Sequence, residues 1–245
     1  MPVDHTNGDP VHVPKRRNVF QFDDEVASIF DNMAPRSIPM YDEAHRLHVS
    51  LLRGWLTPGA VIADIGSSTG HLFRNVGRLL CKQFHETGIE GIALDSSYAM
   101  MDRLRAEFPT VDAIVADLAR ADPLLVRVDV MFALYVLQFI EPEMKCAALD
   151  WLVENTKIGG VIVLGQKEEI AHPWANGMFA DEYYRFRHDN GYSQEEIDAK
   201  TEALKNSMWP ITSDELVSRL NMRGVEVYET SRWLQFSTLI GVRRR

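Results

Sequence analysis

"VIADIGSSTG", residues 61–70, decides the fold: four apolar residues around one carboxylate, Asp64, run into a loop of small residues, Gly66-Ser67-Ser68-Thr69-Gly70. A short apolar run ending at glycine has the signature of a buried strand. Small residues after it let backbone N–H groups approach a ligand where the next helix opens. The loop lacks the three-glycine spacing of a pyrophosphate site, which favours a nucleoside ligand without phosphates.

Outward from this stretch the pattern alternates. Strands are expected at 61–65, 88–95, 111–117, 128–135 and 159–166, with helices opening near Thr69–Gly70 and over 96–108 and 146–157. Apolar strands alternating with helices imply a parallel sheet covered on both faces. The closing runs "VEVYETS" and "LQFSTLIGVRR" lie too close for a helical crossover, so they must pair antiparallel. Upstream, 22–34 and 42–56 carry a helical period, with "RSIPMY" interrupting between them. The rhythm breaks over 167–212, where Pro173 and Pro210 bracket an aromatic stretch. Within it, Ser193 followed by Glu196 reads as a capping box. A last helix over 212–224 has Thr212 or Ser213 to open it and Gly224 to stop it. The expected organisation is a polar arm at 1–18 and one domain over 19–245, with a helical insertion near 167–212.

A chain of 245 residues with 46% hydrophobic and 25% charged residues suits one sizeable core. Its net charge of −9 argues against a broad nucleic-acid footprint, although "PKRR" (14–17) and "RRR" (243–245) leave a local one open. The apolar run at 130–140 is too short to span a bilayer. The N-terminus lacks the apolar core of a signal peptide, so a cytoplasmic location is expected. Cys81 and Cys146 have neither metal nor disulfide spacing and read as buried structural thiols. His45 and His48 could share a helix face, but with no third ligand in view no metal is expected.

Asp64, Asp95 and Asp117 fall at the C-terminal ends of the first three strands, the edge at which open parallel sheets bind ligands. Asp95 has the spacing of an acid that accepts from ribose hydroxyls. Asp64 can hold a cationic amino group, and Asp117 can accept from an adenine amine. An amino acid, a ribose and an adenine together make S-adenosylmethionine, with Gly66, Ser67, Ser68 and Gly70 forming its loop. Each aspartate could instead simply cap the helix that follows. The terminal hairpin separates a Rossmann-like class I methyltransferase sheet, α/β with seven mostly parallel strands, from a nicotinamide-binding one. The aromatic insertion would serve as lid and acceptor-selecting wall, as a dimer surface, or as an extension packing its own core. His172, His188, Tyr184 and Tyr192 lie in the region an acceptor would reach, and no general base is singled out among them.

The blocks "FDDEVASIFDNMAPRSIPMY", "LQFIEP", "NGYSQEEI" and "WLQFSTLIG" resemble the carboxy-S-adenosylmethionine synthases, over nearly the whole chain from Phe22 to Gly241. That family makes the carboxylated cofactor used on the wobble uridine of some tRNAs. The resemblance implies that Tyr41, Gly66, Ser67, Ser68, Asp95, Ser96, Asp117 and Leu118 contact the cofactor. Two positions depart from the family pattern: Leu134 stands where it has asparagine, and Thr201 where it has an arginine for the extra carboxylate. Threonine cannot offer a bidentate charged pair; Arg185 and Arg187, or Lys200 and Lys205, could substitute for it, although each reads first as a solvated helix charge. The expectation is therefore an S-adenosylmethionine-dependent methyltransferase for a small-molecule acceptor. The alternatives are the synthase reaction itself, with prephenate as carboxyl donor, and a non-catalytic cofactor-binding partner protein.

Overall fold

The run at 61–65 forms the central strand β1 (Val61–Ile65), with every residue buried. Around it stand β2 (Glu90–Asp95), β3 (Asp112–Val115), β4 (Val128–Leu134), β5 (Thr156–Lys167), β6 (Val225–Trp233) and β7 (Phe236–Arg243). The computed structural model describes residues 22–86 and 88–245, with the backbone alone at 80–86. The arm expected at 1–18 lies outside the described residues.

The seven strands follow the order β3-β2-β1-β4-β5-β7-β6. β1 to β5 pair in parallel, and β7 inserts antiparallel between β5 and β6. Only Leu234 and Gln235 join β6 to β7, which permits a hairpin and nothing longer. The order reverses between β1 and β4, so a crevice opens at the C-terminal ends of these strands.

Helices α1 (Asp24–Ser37), α2 (Tyr41–Leu51), α3 (His71–Glu86), α4 (Tyr98–Glu107) and α5 (Lys145–Glu154) precede or join the first strands. The insertion between β5 and β6 supplies α6 (Pro173–Asp189), α7 (Gln194–Leu204) and α8 (Ser213–Met222). β4 shows why both faces are covered. Val130, Phe132 and Leu134 pack toward α2 and α3 with Val49, Leu72 and Val76. Met131 and Ala133 pack the other way, with Leu149 and Leu152 of α5 and Leu216 of α8. No helix among the described residues is long and apolar enough to cross a membrane.

Helix ends follow local chemistry. Asp23 caps α1 through Val26 N–H, Ser193 and Glu196 form the reciprocal capping box of α7, and Thr212 caps α8. Gly224 follows α8 at φ +77°.

Three expectations are corrected. α1 runs on through Pro35 to Ser37, so only Ile38–Met40 interrupts. Tertiary bonds hold that last turn: Arg36 Nε donates to the Asn190 carbonyl at 2.7 Å, and the Ser37 hydroxyl meets the Tyr192 hydroxyl at 2.8 Å. α5 ends at Glu154 and β5 begins at Thr156, which pairs with Val128 ahead of a register shift near Gly159 (φ +79°). Cys146 is exposed, because Ala148, Leu149 and Leu152 form the buried face of α5. The Cys81 side chain lies outside the described residues.

Candidate functional site

The loop after β1 is tied through its backbone to the end of β2. Gly66 (φ +65°) and Ser67 both donate to the Leu94 carbonyl, at 2.7 and 3.2 Å. A Cβ on Gly66 would lie 2.3 Å from Val136 Cγ2, so only glycine fits this left-handed position. Ser68 itself adopts φ +47°, which turns its N–H toward Asp95.

Asp95, at the end of β2, is held at both oxygens. Oδ2 accepts from Ser68 N–H and Oδ1 from Ser97 N–H, each at 2.9 Å. Burial raises its pKa, and the backbone N–H groups of Ser97, Ser68 and Ser96 oppose that rise. A carboxylate has about four acceptor sites, so two donors leave capacity for a ligand. Asp117 does cap a turn, accepting from Ala119 N–H at 3.0 Å, and Arg120 reaches its other oxygen at 2.6 Å. Asp64 is buried, and its pKa is raised well above the usual carboxylate range, by burial first and then by Asp95.

These groups surround a cavity of about 770 Å³ at the strand ends, within the ordinary size range of small-molecule sites. Tyr41, Gly66, Ser68, Asp95 and Ser96 lie on its wall, as do Asp117, Leu118 and Leu134. Asp64, Ser67 and Gly70 stand behind the wall. Asp64 acts on Tyr41, whose phenol is raised by burial first and then by this charge, and the Ser67 hydroxyl donates to Met101 Sδ at 3.5 Å. The Tyr41 ring packs against His45 and His71, with centroids 4.6 and 4.8 Å away. His45 and His48 do not converge. Their Nδ1 atoms donate to the carbonyls of Tyr41 and Ala44, and His48 Nε2 meets Thr230 Oγ1. No cluster suited to a metal occurs among the described residues.

α1, α6 and α7 cover the cavity. α1 is fastened to the loop through Asp31, which accepts from the Thr69 hydroxyl and from Arg74 Nη1 at 3.0 Å. Arg74 also donates to the Thr69 carbonyl and to both oxygens of Glu107. From the insertion, Asn176, Ala180, Tyr183 and Arg187 of α6 and Lys200 and Thr201 of α7 reach the wall.

Here the expected solvated charges divide. Arg185 is exposed and paired with Glu182, and Lys205 pairs with Glu202. Arg187 and Lys200, by contrast, are buried, at 9% and 8% exposure, because α6 and α7 turn these faces onto the cavity. Arg187 Nη1 donates to Thr201 Oγ1 at 3.1 Å, so a guanidinium stands directly at the threonine. Lys167, at the end of β5, joins them on the wall.

His172, His188, Tyr184 and Tyr192 are not on the wall. His172 Nε2 accepts from Trp174, His188 is exposed beside Asp189, and Tyr184 donates to Gln194 at the surface. Tyr192 is buried behind the wall against Ser37, with the Arg36 guanidinium 4.7 Å over its ring. Tyr183 and Lys167 were missed by sequence reasoning, and Arg187 entered it only as a substitute cation that read first as a solvated charge. Two signals point to them: Asn176, Ala180, Tyr183 and Arg187 follow a helical period, and Lys167 occupies a strand end like the three aspartates.

Among curated proteins, the chain is 33% identical to the carboxy-S-adenosyl-L-methionine synthase of Helicobacter hepaticus, covering 90% of this chain and 93% of that protein. It is 30% identical to the protein of the same name from Nautilia profundicola, with the same coverages. Among solved structures, an O-methyltransferase family protein from Burkholderia thailandensis superposes with a TM-score of 0.64 at 17% identity, covering 89% of this chain and 60% of that one. This likeness supports the class I methyltransferase fold. No protein-family model matches the chain.

Proposed function

The chain belongs to the carboxy-S-adenosyl-L-methionine synthase family, and from that premise we propose that it binds S-adenosyl-L-methionine in the cavity and converts it to the carboxylated form. The observation that carries the cofactor assignment is Asp95, oriented by two backbone N–H groups at the cavity wall with acceptor capacity to spare for a ribose diol.

The remaining residues fit the same ligand. Asp64, buried and electrostatically strained by Asp95, gains from a nearby cation such as the amino group of the methionine portion. Gly66 lets that end approach the backbone. The cofactor supplies an activated one-carbon group on sulfur, and the protein's part is to orient it and exclude water. α1, Tyr41, Tyr183 and the α6–α7 cover do this by closing the side of the cavity away from the sheet.

A second reading, methyl transfer to a small acceptor, is favoured by Leu134 and Thr201, two apolar or neutral residues at positions where the family pattern is polar or charged. Mass spectrometry of the ligand released on denaturing freshly purified protein separates the two. A species heavier than S-adenosylmethionine by one carboxylate supports synthesis. S-adenosylmethionine or its demethylated product, with no carboxylated species after incubation with candidate carboxyl donors, supports methyl transfer. Neither nucleoside in the purified protein, and no binding of either in solution, sinks both readings.

A further inference from the structure

Ser97, just ahead of α4, makes three hydrogen bonds, only the first of which involves Asp95. Its N–H donates to Asp95 Oδ1 at 2.9 Å. Its Oγ accepts from Met100 N–H at 3.3 Å and so caps α4. The hydroxyl proton points elsewhere, to the Phe22 carbonyl at 2.6 Å. A serine hydroxyl has one proton to donate, and here it goes to a residue 75 positions away, next to the start of α1. Ser97 is itself nine-tenths buried.

The Phe22 ring completes a bridge. It meets Phe139 edge-on, with centroids 5.4 Å apart and planes at 87°, a geometry that aromatic pairs prefer. Ser97 follows β2 and Phe139 follows β4, and β1 lies between those two strands. Neighbouring strands are about 4.8 Å apart, so Phe22 reaches across roughly 10 Å where the strand order reverses. Phe22 and Phe139 both lie on the cavity wall, together with Asp95 and Ser96 from the β2 end and Leu118. Phe22 also packs against the cluster that holds Val26 of α1, Met100 of α4 and Ala203 of α7.

We propose that Phe22 is a strap across the nucleoside end of the cavity and that Ser97 is the positioning residue that fastens it. The residue that orients Asp95 toward the ribose thereby also holds the cover above it. Opening the strap breaks one hydrogen bond and one ring contact, and leaves the α4 cap and the Asp95 bond in place. The strap acts on the adenosine portion, so it governs release of S-adenosylmethionine and of S-adenosylhomocysteine alike. That role rests on the reading that the cavity holds an S-adenosyl ligand, whereas the fastening can be measured without one.

The test uses the full chain and three variants, with folding compared by thermal melting. Ser97→Gly removes the donor but keeps a residue favoured at a helix N-cap, Ser97→Thr keeps the hydroxyl, and Phe22→Ala removes the ring. In stopped-flow displacement, S97G and F22A should each release both nucleosides about three- to tenfold faster, with association within about twofold. S97T should restore slow release. The double variant S97G/F22A should release no faster than the faster single variant, because both changes open one strap. Without ligand, S97G should speed amide exchange at Val26 and Ala27, which are bonded to Asp23 in the first turn of α1. The Met101 amide, bonded to the Ser97 carbonyl in α4, should not change. Should S97G not fold, F22A carries the same expectations. A lowered melting temperature with wild-type release and wild-type exchange at Val26 and Ala27 confines Ser97 to capping α4 and overturns the strap. Full additivity in the double variant overturns the coupling of Ser97 to Phe22. Wild-type protein that binds neither nucleoside, with faster exchange at Val26 and Ala27 in S97G, overturns the cofactor reading and leaves the fastening in place.

Discussion

At the scale of single residues, Asp95 and the buried lysines make opposite demands on protons. Asp95→Asn keeps the shape but presents an amide N–H₂ to one of the two backbone donors that now hold the carboxylate. It also removes the charge-assisted bonds available to a diol, worth about 1.5–3 kcal/mol. S-adenosylmethionine affinity should fall roughly 10- to 100-fold by calorimetry; an unchanged value removes Asp95 from the site. Burial, and then the Arg187 charge, push Lys167 down to about 8. Burial, then Arg187 and Arg36, push Lys200 down to about 7. The groups facing these ammoniums are Arg36 and Ser37 from α1, Tyr183 and Arg187 from α6, and Tyr192. Since both folded values lie below the ordinary 10.5, the unfolded chain binds more protons between them. From these two groups, the ligand-free fold gains stability as pH rises through about 7 to 10. A bound anion reverses the preference by favouring the charged amines. Affinity for the carboxylated nucleoside should therefore fall from pH 6 to pH 9, and at pH 7.5 binding should take up protons, read from calorimetry in buffers of different ionisation enthalpy.

At the scale of elements, α1 is a cover whose middle is tied to the loop and to α4 through Arg74, while its last turn is held by Arg36 and Ser37. Arg74 joins Asp31 on α1 to the Thr69 carbonyl and to Glu107 at the end of α4. Its pKa is raised, chiefly by the Glu107 hydrogen bonds. Single exposed ion pairs contribute little, but a shared, partly buried guanidinium acts as a small network. Arg74→Met should speed S-adenosylmethionine release about three- to tenfold with little change in association, measured by stopped-flow displacement. Equal release rates would mean that α1 is held by its packing and by the bonds of Asp31 to Thr69, Arg36 to Asn190 and Ser37 to Tyr192, without help from Arg74. Much of this framework was legible in the sequence. Gly66, Asp64, Asp95 and Asp117 sit at strand ends because alternation between strand and helix puts them there, and the caps at Ser193, Thr212 and Gly224 depend on their own few residues. The last turn of α1 was not legible, because it survives on contacts from Arg36 and Ser37 to Asn190 and Tyr192, more than 150 residues away. Nor was the burial of Arg187. α6 carries exposed Trp174 and Met178 on one side and Tyr183 on the other, so its apolar pattern does not say which face meets the sheet.

At the scale of the molecule, the sheet core and the site are one mechanical unit. β4 lies between β1 and β5, with its side chains buried on both faces. Phe132, 1% exposed, is among the largest fully buried side chains. Two residues further on, the same strand delivers Leu134 to the cavity wall, and Tyr135 follows at φ +62°, also on the wall. Phe132→Ala leaves a cavity that rigid neighbours on adjacent strands cannot fill, and should cost about 3–5 kcal/mol in urea unfolding. For a fold of ordinary stability, that is a large share of the total. Because the strand end forms the site, loss of stability and loss of binding should not be separable by location. A ligand that binds only the folded form should restore about 2.7 kcal/mol at a hundred times its Kd. Urea curves of Phe132→Ala with and without S-adenosylmethionine at that ratio should therefore differ by most of the mutational loss. Recovery well below the value set by the variant's own measured Kd would show that the ligand still binds a form in which β4 has already come apart from its neighbours.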